Sequence, residues 1–281
     1  MMSSDQHCFD LVRAGDKDRF LASLFAPEEK RKHLHALYAF NIEVSRIPEL
    51  VSDASVGEIR YQWWLDTIDA IYDGEEQQHP VAQSLAAAIS AGDLPKHALQ
   101  NLVKAKIFDL YSDPMQSMTD LEGYLGETSS ALIQMASLIL KREDALESSE
   151  AAGLAGVAYG LAGLMRSLPR HRAMARCYVP LDLLKLRDAS AADVIANENE
   201  ASINIVLSEL REKIRLRLDQ ARKLAWTIKP SVMPAFLHVS LTEAYLNKLD
   251  SARLGVLKSN AEISQWRKQW ILWKAAKAEG F

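Results

Sequence analysis

Apolar residues three or four apart dominate this sequence, and the strict alternation of a strand is almost absent. In "INIVLSELREKIRLRLDQARKLAWTI" Leu207, Leu210, Ile214, Leu218, Ala221 and Ala225 share one side of a helix, which Pro230 is expected to end. "PEEKRKHLHALYAFNIEVSRI" opens on Pro27 with acids in its first turn, and "VGEIRYQWWLDTIDAIYDG" closes on Gly74, the punctuation of two more helices. The same spacing predicts helices near 80–92, 95–111, 118–141, 148–168, 231–250 and 261–278. "AAGLAGVAYGLAGLMRS" is small and apolar nearly all round, as suits a helix buried among others. No repeat period breaks the pattern. The reading is all-α, one domain over residues 1–281, with 190–200 as the alternative point of division.

Charge and cysteine usage narrow the function classes. A net charge of -4 lacks the basic excess of a nucleic-acid binder, so no nucleic-acid partner is expected. Cys8 and Cys177 lie far apart, match no metal-ligand spacing and suit a reducing compartment. "MMSSDQHCFDLVRAGD" lacks the cationic start and apolar run of a secretory signal, and no window approaches a membrane span. The expected protein is soluble, or at most rests on a membrane surface.

Two stretches carry the chemical information. "ALYAFNIEVSRIPEL" contains Tyr38, Ala39 and Phe40, and "GLMRSLPRHRAMARCYVP" contains Arg166, Arg170, His171, Arg172 and Arg176 ahead of "RCYVP", residues 176–180. In these stretches the chain resembles the squalene/phytoene synthase family, over about residues 8–255. That family pairs a helix reading roughly Y-A-F-C-R-x-x-D-D-x-x-D with one reading Q-x-x-N-I-L-R-D-x-x-x-D, followed by R-x-Y-x-P. The resemblance implies an isoprenoid-synthase-like bundle of helices around a central cavity. It also implies a place where two pairs of carboxylates, each four apart on a helix face, would hold magnesium against a diphosphate.

Here those positions are depleted. The first pair falls on Ser45 and Glu49, with Arg46 beside it, and the second falls on Ser167 and His171. The arginine of the first motif becomes Ile42, and the glutamine and asparagine before the second pair become Gly160 and Gly163. Pro169 should end or kink the helix between Ser167 and His171. Three of four carboxylates are thus replaced, so no catalytic residue, metal or cofactor is expected. Magnesium enters only under the alternative of a prenyltransferase with unorthodox ligands such as Glu43, Glu49, Asp69 and Asp73.

A sub-branch of the family shares this depletion. "LVRAGDKDRFLASLFAPEEKRKHLHALYAFNIEVSRI", "IRYQWWLDTIDAIYDG" and "PAFLHVSLTEAYLNKL" resemble the squalene/phytoene synthase-like assembly factors of respiratory complex I. The resemblance implies a non-catalytic role with complex I subunits or assembly intermediates as partners. With no targeting presequence in "MMSSDQHCFDLVRAGD", the expected location is a bacterial cytoplasm, at most peripheral to the inner membrane, or the mitochondrial matrix for a processed form. A polyprenyl-lipid carrier is a further alternative.

The other side-chain groups admit two readings each. Tyr38, Arg46, Arg166, Arg170 and His171 could line the cavity and take an isoprenoid or phospholipid phosphate directly, arginine being suited to forked contacts with its oxygens. The alternative is a solvated charge run, preferred for Arg172. Asp66, Asp69 and Asp73, and Asp109 with Asp113, stand at helical spacing and read as solvated faces in preference to a relocated metal site. In "AEISQWRKQWILWKAAKAEGF" Ile263, Trp266, Trp270 and Trp273 form one apolar face, with Arg267, Lys268, Lys274 and Lys277 largely off it. Such a helix lies in a membrane interface, anchors a partner, or docks onto its own domain.

Overall fold

Every regular element in the computed structural model, which describes residues 3–252, 261–278 and 280–281, is helical. The chain begins with α1 (Ser4–Gly15) and α2 (Lys17–Ser23), which the spacing analysis does not predict. Polar caps set their starts: Ser3 Oγ accepts from the Gln6 amide at 3.2 Å and Asp16 Oδ1 from the Arg19 amide at 3.0 Å. Next comes α3 (Glu28–Leu50), whose wholly buried Leu34, Leu37, Phe40 and Val44 hold it against α1 and α5 (Pro80–Gly92). Between them, α4 (Ala54–Tyr72) ends near Gly74, whose φ of 84° is the left-handed conformation that glycine accepts without strain.

The next rods converge on one central helix. α6 (Lys96–Lys106) runs into a 3₁₀ turn at Ile107–Leu110, and α7 (Met118–Leu125) and α8 (Ala131–Leu140) are joined by a π turn at Gly126–Ser130. After the short α9 (Arg142–Glu147), α10 (Ser149–Arg166) crosses that π turn at very close range. A Cβ at Gly156 would lie 2.3 Å from Ser130 Cα, so only glycine fits there. Ser130 Oγ donates to the Gly153 carbonyl at 2.7 Å and ties the two together.

α10 ends at Arg166, and after the bend at Ser167 the chain resumes as α11 (Leu168–Ala173), with Pro169 in its first turn. The proline has no N–H to bond back into the preceding turn, but the break falls ahead of Ser167 and not between Ser167 and His171 as the sequence suggests, since the His171 amide still donates to the Ser167 carbonyl at 2.9 Å. α12 (Leu181–Lys185) and α13 (Ala191–Ala196), the latter closed by a Ser190–Asp193 capping box, lead to α14 (Glu200–Lys223). α14 lies along α10 and buries Leu210, Ile214 and Leu218, each contributing roughly 1.5–3 kcal/mol of burial.

Several sequence-predicted boundaries differ: 118–141 is divided by the π turn, and 261–278 begins as a helix only at Gln265. α14 stops at Lys223, seven residues before Pro230, because the chain tightens into a 3₁₀ turn in which Thr227 Oγ1 donates to the Leu224 carbonyl at 2.7 Å. The stretch 231–250 is α15 (Met233–Phe236), a 3₁₀ turn at Leu237–Leu241 and α16 (Thr242–Ala252), not one rod. The final element is α17 (Gln265–Ala278), packed on α2 and on that 3₁₀ turn. Among the described residues, no helix is long and apolar enough to cross a membrane.

Candidate functional site

A cavity of about 530 Å³ opens between the end of α1, the last turns of α3, the 3₁₀ turn after α6, and α11 with the loop beyond it. α3 contributes Ile42, Ser45, Arg46 and Glu49, while α11 and its loop contribute Arg170, His171, Arg176 and Tyr178. The two depleted motifs therefore do face one another. Glu49, the surviving carboxylate, is ion-paired to Arg170 across the opening.

The cavity's floor is a hydrogen-bonded cluster around Asp109. Lys106 Nζ reaches Asp109 Oδ2 at 3.3 Å and Tyr124 Oη at 2.6 Å, and Tyr124 Oη donates to Asp109 Oδ2 at 2.9 Å. Tyr178, from "RCYVP", donates to Asp109 Oδ1 at 2.6 Å. Burial, and then the Asp109 charge, hold the Tyr124 and Tyr178 hydroxyls far above their ordinary titration range. Asp109 is thus buried and not on a solvated helix face as the spacing suggests.

The donor set does not fit a magnesium–diphosphate site. Three carboxylates line the cavity, and each is already engaged. Asp16 caps α2 and pairs with Arg19 at 2.7 Å, Glu49 pairs with Arg170, and Asp109 has three donors. Of the unorthodox ligands, only Glu49 lines the cavity. Asp69 instead meets Lys96 at 2.7 Å and accepts from Gln100 at 2.8 Å. No group of three His, Cys, Asp or Glu side chains among the described residues converges as a metal site.

Positive charge is less fully engaged. The cavity lining holds Arg46, Lys106, Arg170 and Arg176. Lys106 and Arg170 have carboxylate partners, whereas Arg46 and Arg176 have none among the described residues. His171 sits 4.6 Å from the Tyr178 ring, with its Nδ1 buried and unpaired. Burial pushes its pKa down to about 4; Asp109 opposes this, and Arg170, Lys106 and Arg176 reinforce it. At neutral pH it is an uncharged imidazole among cations.

Leu121, Leu161, Met165, Leu210 and Ile214 surround an apolar space of only about 20 Å³, which shares Leu164 and Tyr178 with the cavity wall.

Other predicted positions lie elsewhere. Tyr38 is fully buried 5.9 Å from the Arg19 guanidinium and does not line the cavity. Ser167 occupies the bend between α10 and α11 and is also absent from the lining. Arg166 does not point beside Arg170 as a four-residue spacing on one helix requires, because the bend separates them. It lines a second cavity of about 290 Å³ with Asp18, Glu262 and Lys268.

There Arg166 lies 3.5 Å over the Tyr245 ring and pairs with Asp18 at 3.4 Å and Glu262 at 2.9 Å. Tyr245 and Tyr159 donate to Asp18 Oδ2 at 2.7 and 3.1 Å, and Lys268 comes within 2.8 Å of Oδ1. Burial alone would raise the Asp18 pKa, but Arg166, Lys268 and Tyr245 outweigh it and hold the carboxyl below its ordinary value. Sequence spacing missed this cluster. Its one local signal is Lys268, Leu272 and Ala275, which share the buried side of α17. Trp266, Trp270 and Trp273 take the opposite side.

Comparison with known proteins bears on this site. A family model described as squalene/phytoene synthase matches residues 12–267. NADH dehydrogenase (ubiquinone) complex I, assembly factor 6, of Bos taurus is 28% identical over 278 residues, 95% of this chain and 83% of its own length. The Drosophila melanogaster homolog of that factor is 30% identical over 255 residues, 88% of this chain and 75% of its own. A crystal structure of a dehydrosqualene synthase superposes with a TM-score of 0.86 at 16% identity, covering 98% of this chain and 95% of that one.

Proposed function

The chain belongs to the squalene/phytoene synthase family, and from that premise we propose that it acts by binding, as an assembly factor for an NADH dehydrogenase complex, and does not condense prenyl diphosphates. The observation that carries this reading is the Glu49–Arg170 pair. The last carboxylate of the two metal motifs is bound to a guanidinium from the facing motif, which leaves no opposed acids to hold a cation against a leaving diphosphate.

Two further features support it. The apolar space behind the cavity is about 20 Å³, far below the roughly 300–1,000 Å³ of ordinary small-molecule sites, which argues against a prenyl chain seated there. This also disfavours a polyprenyl carrier. Arg46 and Arg176, beside the neutral His171, suit the direct binding of a phosphate group without a metal. The ligand class is then a phosphate-bearing head whose remainder stays outside the bundle.

Deletion of the gene tests the assembly role: the NADH dehydrogenase complex should be lost from native gels while isoprenoid content is unchanged. Purified protein given farnesyl or geranylgeranyl diphosphate with magnesium should release no diphosphate. Steady turnover in that assay would overturn the reading, as would a normal complex in the deletion strain.

A further inference from the structure

α17 is mounted inside out. It buries Lys268 beside Leu272 and Ala275, and it turns its tryptophans outward, Trp266, Trp270 and Trp273 being 83%, 55% and 42% exposed. A terminal helix that merely closed its own domain would bury those rings, the largest apolar groups it has, and leave the lysine in water. The orientation is fixed from inside, because Lys268 is ion-paired to Asp18 and Glu262 in the cluster around Arg166. The same ion pairs therefore set the tryptophan face outward.

Its charge says what it meets. Residues 265–278 contain Arg267, Lys268, Lys274 and Lys277 and no acid, in a chain whose net charge is -4. With Lys268 paired internally, three cations are left on or beside the tryptophan face. Lys274 Nζ lies 5.0 Å from the Trp270 ring centre and Lys277 Nζ 4.1 Å from that of Trp273, while the two rings stack at 5.2 Å. Amphipathic rings interleaved with ammonium groups match a layer that is apolar beneath and anionic above.

We propose that α17 is a membrane-docking helix, which seats Trp266, Trp270 and Trp273 at the acyl boundary of a bilayer while Arg267, Lys274 and Lys277 meet anionic phospholipid headgroups. The helix lies in the plane of the interface and does not cross it. This inference is independent of the assembly reading, since vesicle binding needs no NADH dehydrogenase subunit.

The test is co-flotation of the full chain with two vesicle types, one of phosphatidylcholine alone and one with about 30% phosphatidylglycerol. The wild-type chain should bind the anionic vesicles strongly and the neutral ones weakly, with binding that falls as salt rises. Trp266→Ala/Trp270→Ala/Trp273→Ala should bind at least about tenfold more weakly. Lys274→Glu/Lys277→Glu, which keeps every ring, should lose the preference for anionic lipid. Both variants change exposed side chains, and unaltered thermal unfolding will show that the fold is intact. Folded wild-type protein that ignores anionic vesicles overturns the proposal and gives the face to a protein partner. Equal binding by the triple tryptophan variant overturns it as well.

Discussion

Lys268 Nζ lies 2.8 Å from Asp18 Oδ1, with side-chain exposures of 7% and 6%, and so joins the last helix to the second. Arg166 and Lys268 both depend on that carboxylate inside the bundle. Asp18→Ala should lower the unfolding free energy by about 3–5 kcal/mol in urea titrations, since it leaves buried cations short of an anion. Adding Lys268→Met should recover part of the loss, which a double-mutant cycle will read as coupling. The Asp18 contribution is present above the unfolded carboxylate value of about 4 and is lost as pH falls through its lowered folded value.

His171 sets a second, milder pH dependence. Its folded pKa of about 4 lies below the unfolded 6.5, so the unfolded chain binds the extra proton between those values. Stability is complete above pH 6.5 and declines as pH drops towards 4, by up to the order of 3 kcal/mol from this residue. His171→Gln should flatten that part of the curve. His35, lowered to about 4 by burial and by Arg31, will keep some slope in the variant.

Gly156→Ala should destabilise by about 1–3 kcal/mol, because the new methyl would sit 2.3 Å from Ser130 Cα and push α10 off the π turn. Gly163→Ala, whose Cβ meets nothing within 4 Å, is the control and should be neutral or slightly stabilising in thermal unfolding.

The cavity should bind pyrophosphate without magnesium. Calorimetry in the presence of a chelator should detect it, and Arg46→Ala or Arg176→Ala should each weaken it by about tenfold or more, as expected for a lost charge-assisted hydrogen bond. Binding that strictly requires magnesium would contradict the arrangement of charges at Glu49 and Arg170.

Much of the fold was legible because helices announce themselves locally. Residues 80–92 are both predicted and found as a helix, since Pro80 and Gly92 mark its two ends. The opening helices escaped notice because α1 buries only Cys8 and Val12, too thin an apolar stripe to stand out. The site was half legible. Motif spacing led to Ser45, Glu49, Arg170 and His171, which do meet, but Arg166 and Tyr38 belong elsewhere. Asp18 and Lys268 are 250 positions apart, and no periodicity links residues so distant. The tryptophan face of α17 was visible from spacing, whereas its outward direction was not, because that depends on where a single lysine finds its carboxylate.

The bend at Ser167 divides the second motif between two helices. α10 stops at Arg166 and Ser167 caps α11, its carbonyl accepting from the His171 amide at 2.9 Å, so Arg166 is parted from the turn that carries Arg170 and His171. Ser45→Asp, Ser167→Asp and His171→Asp together would supply oxygens, yet the one at 167 would start from outside the cavity wall.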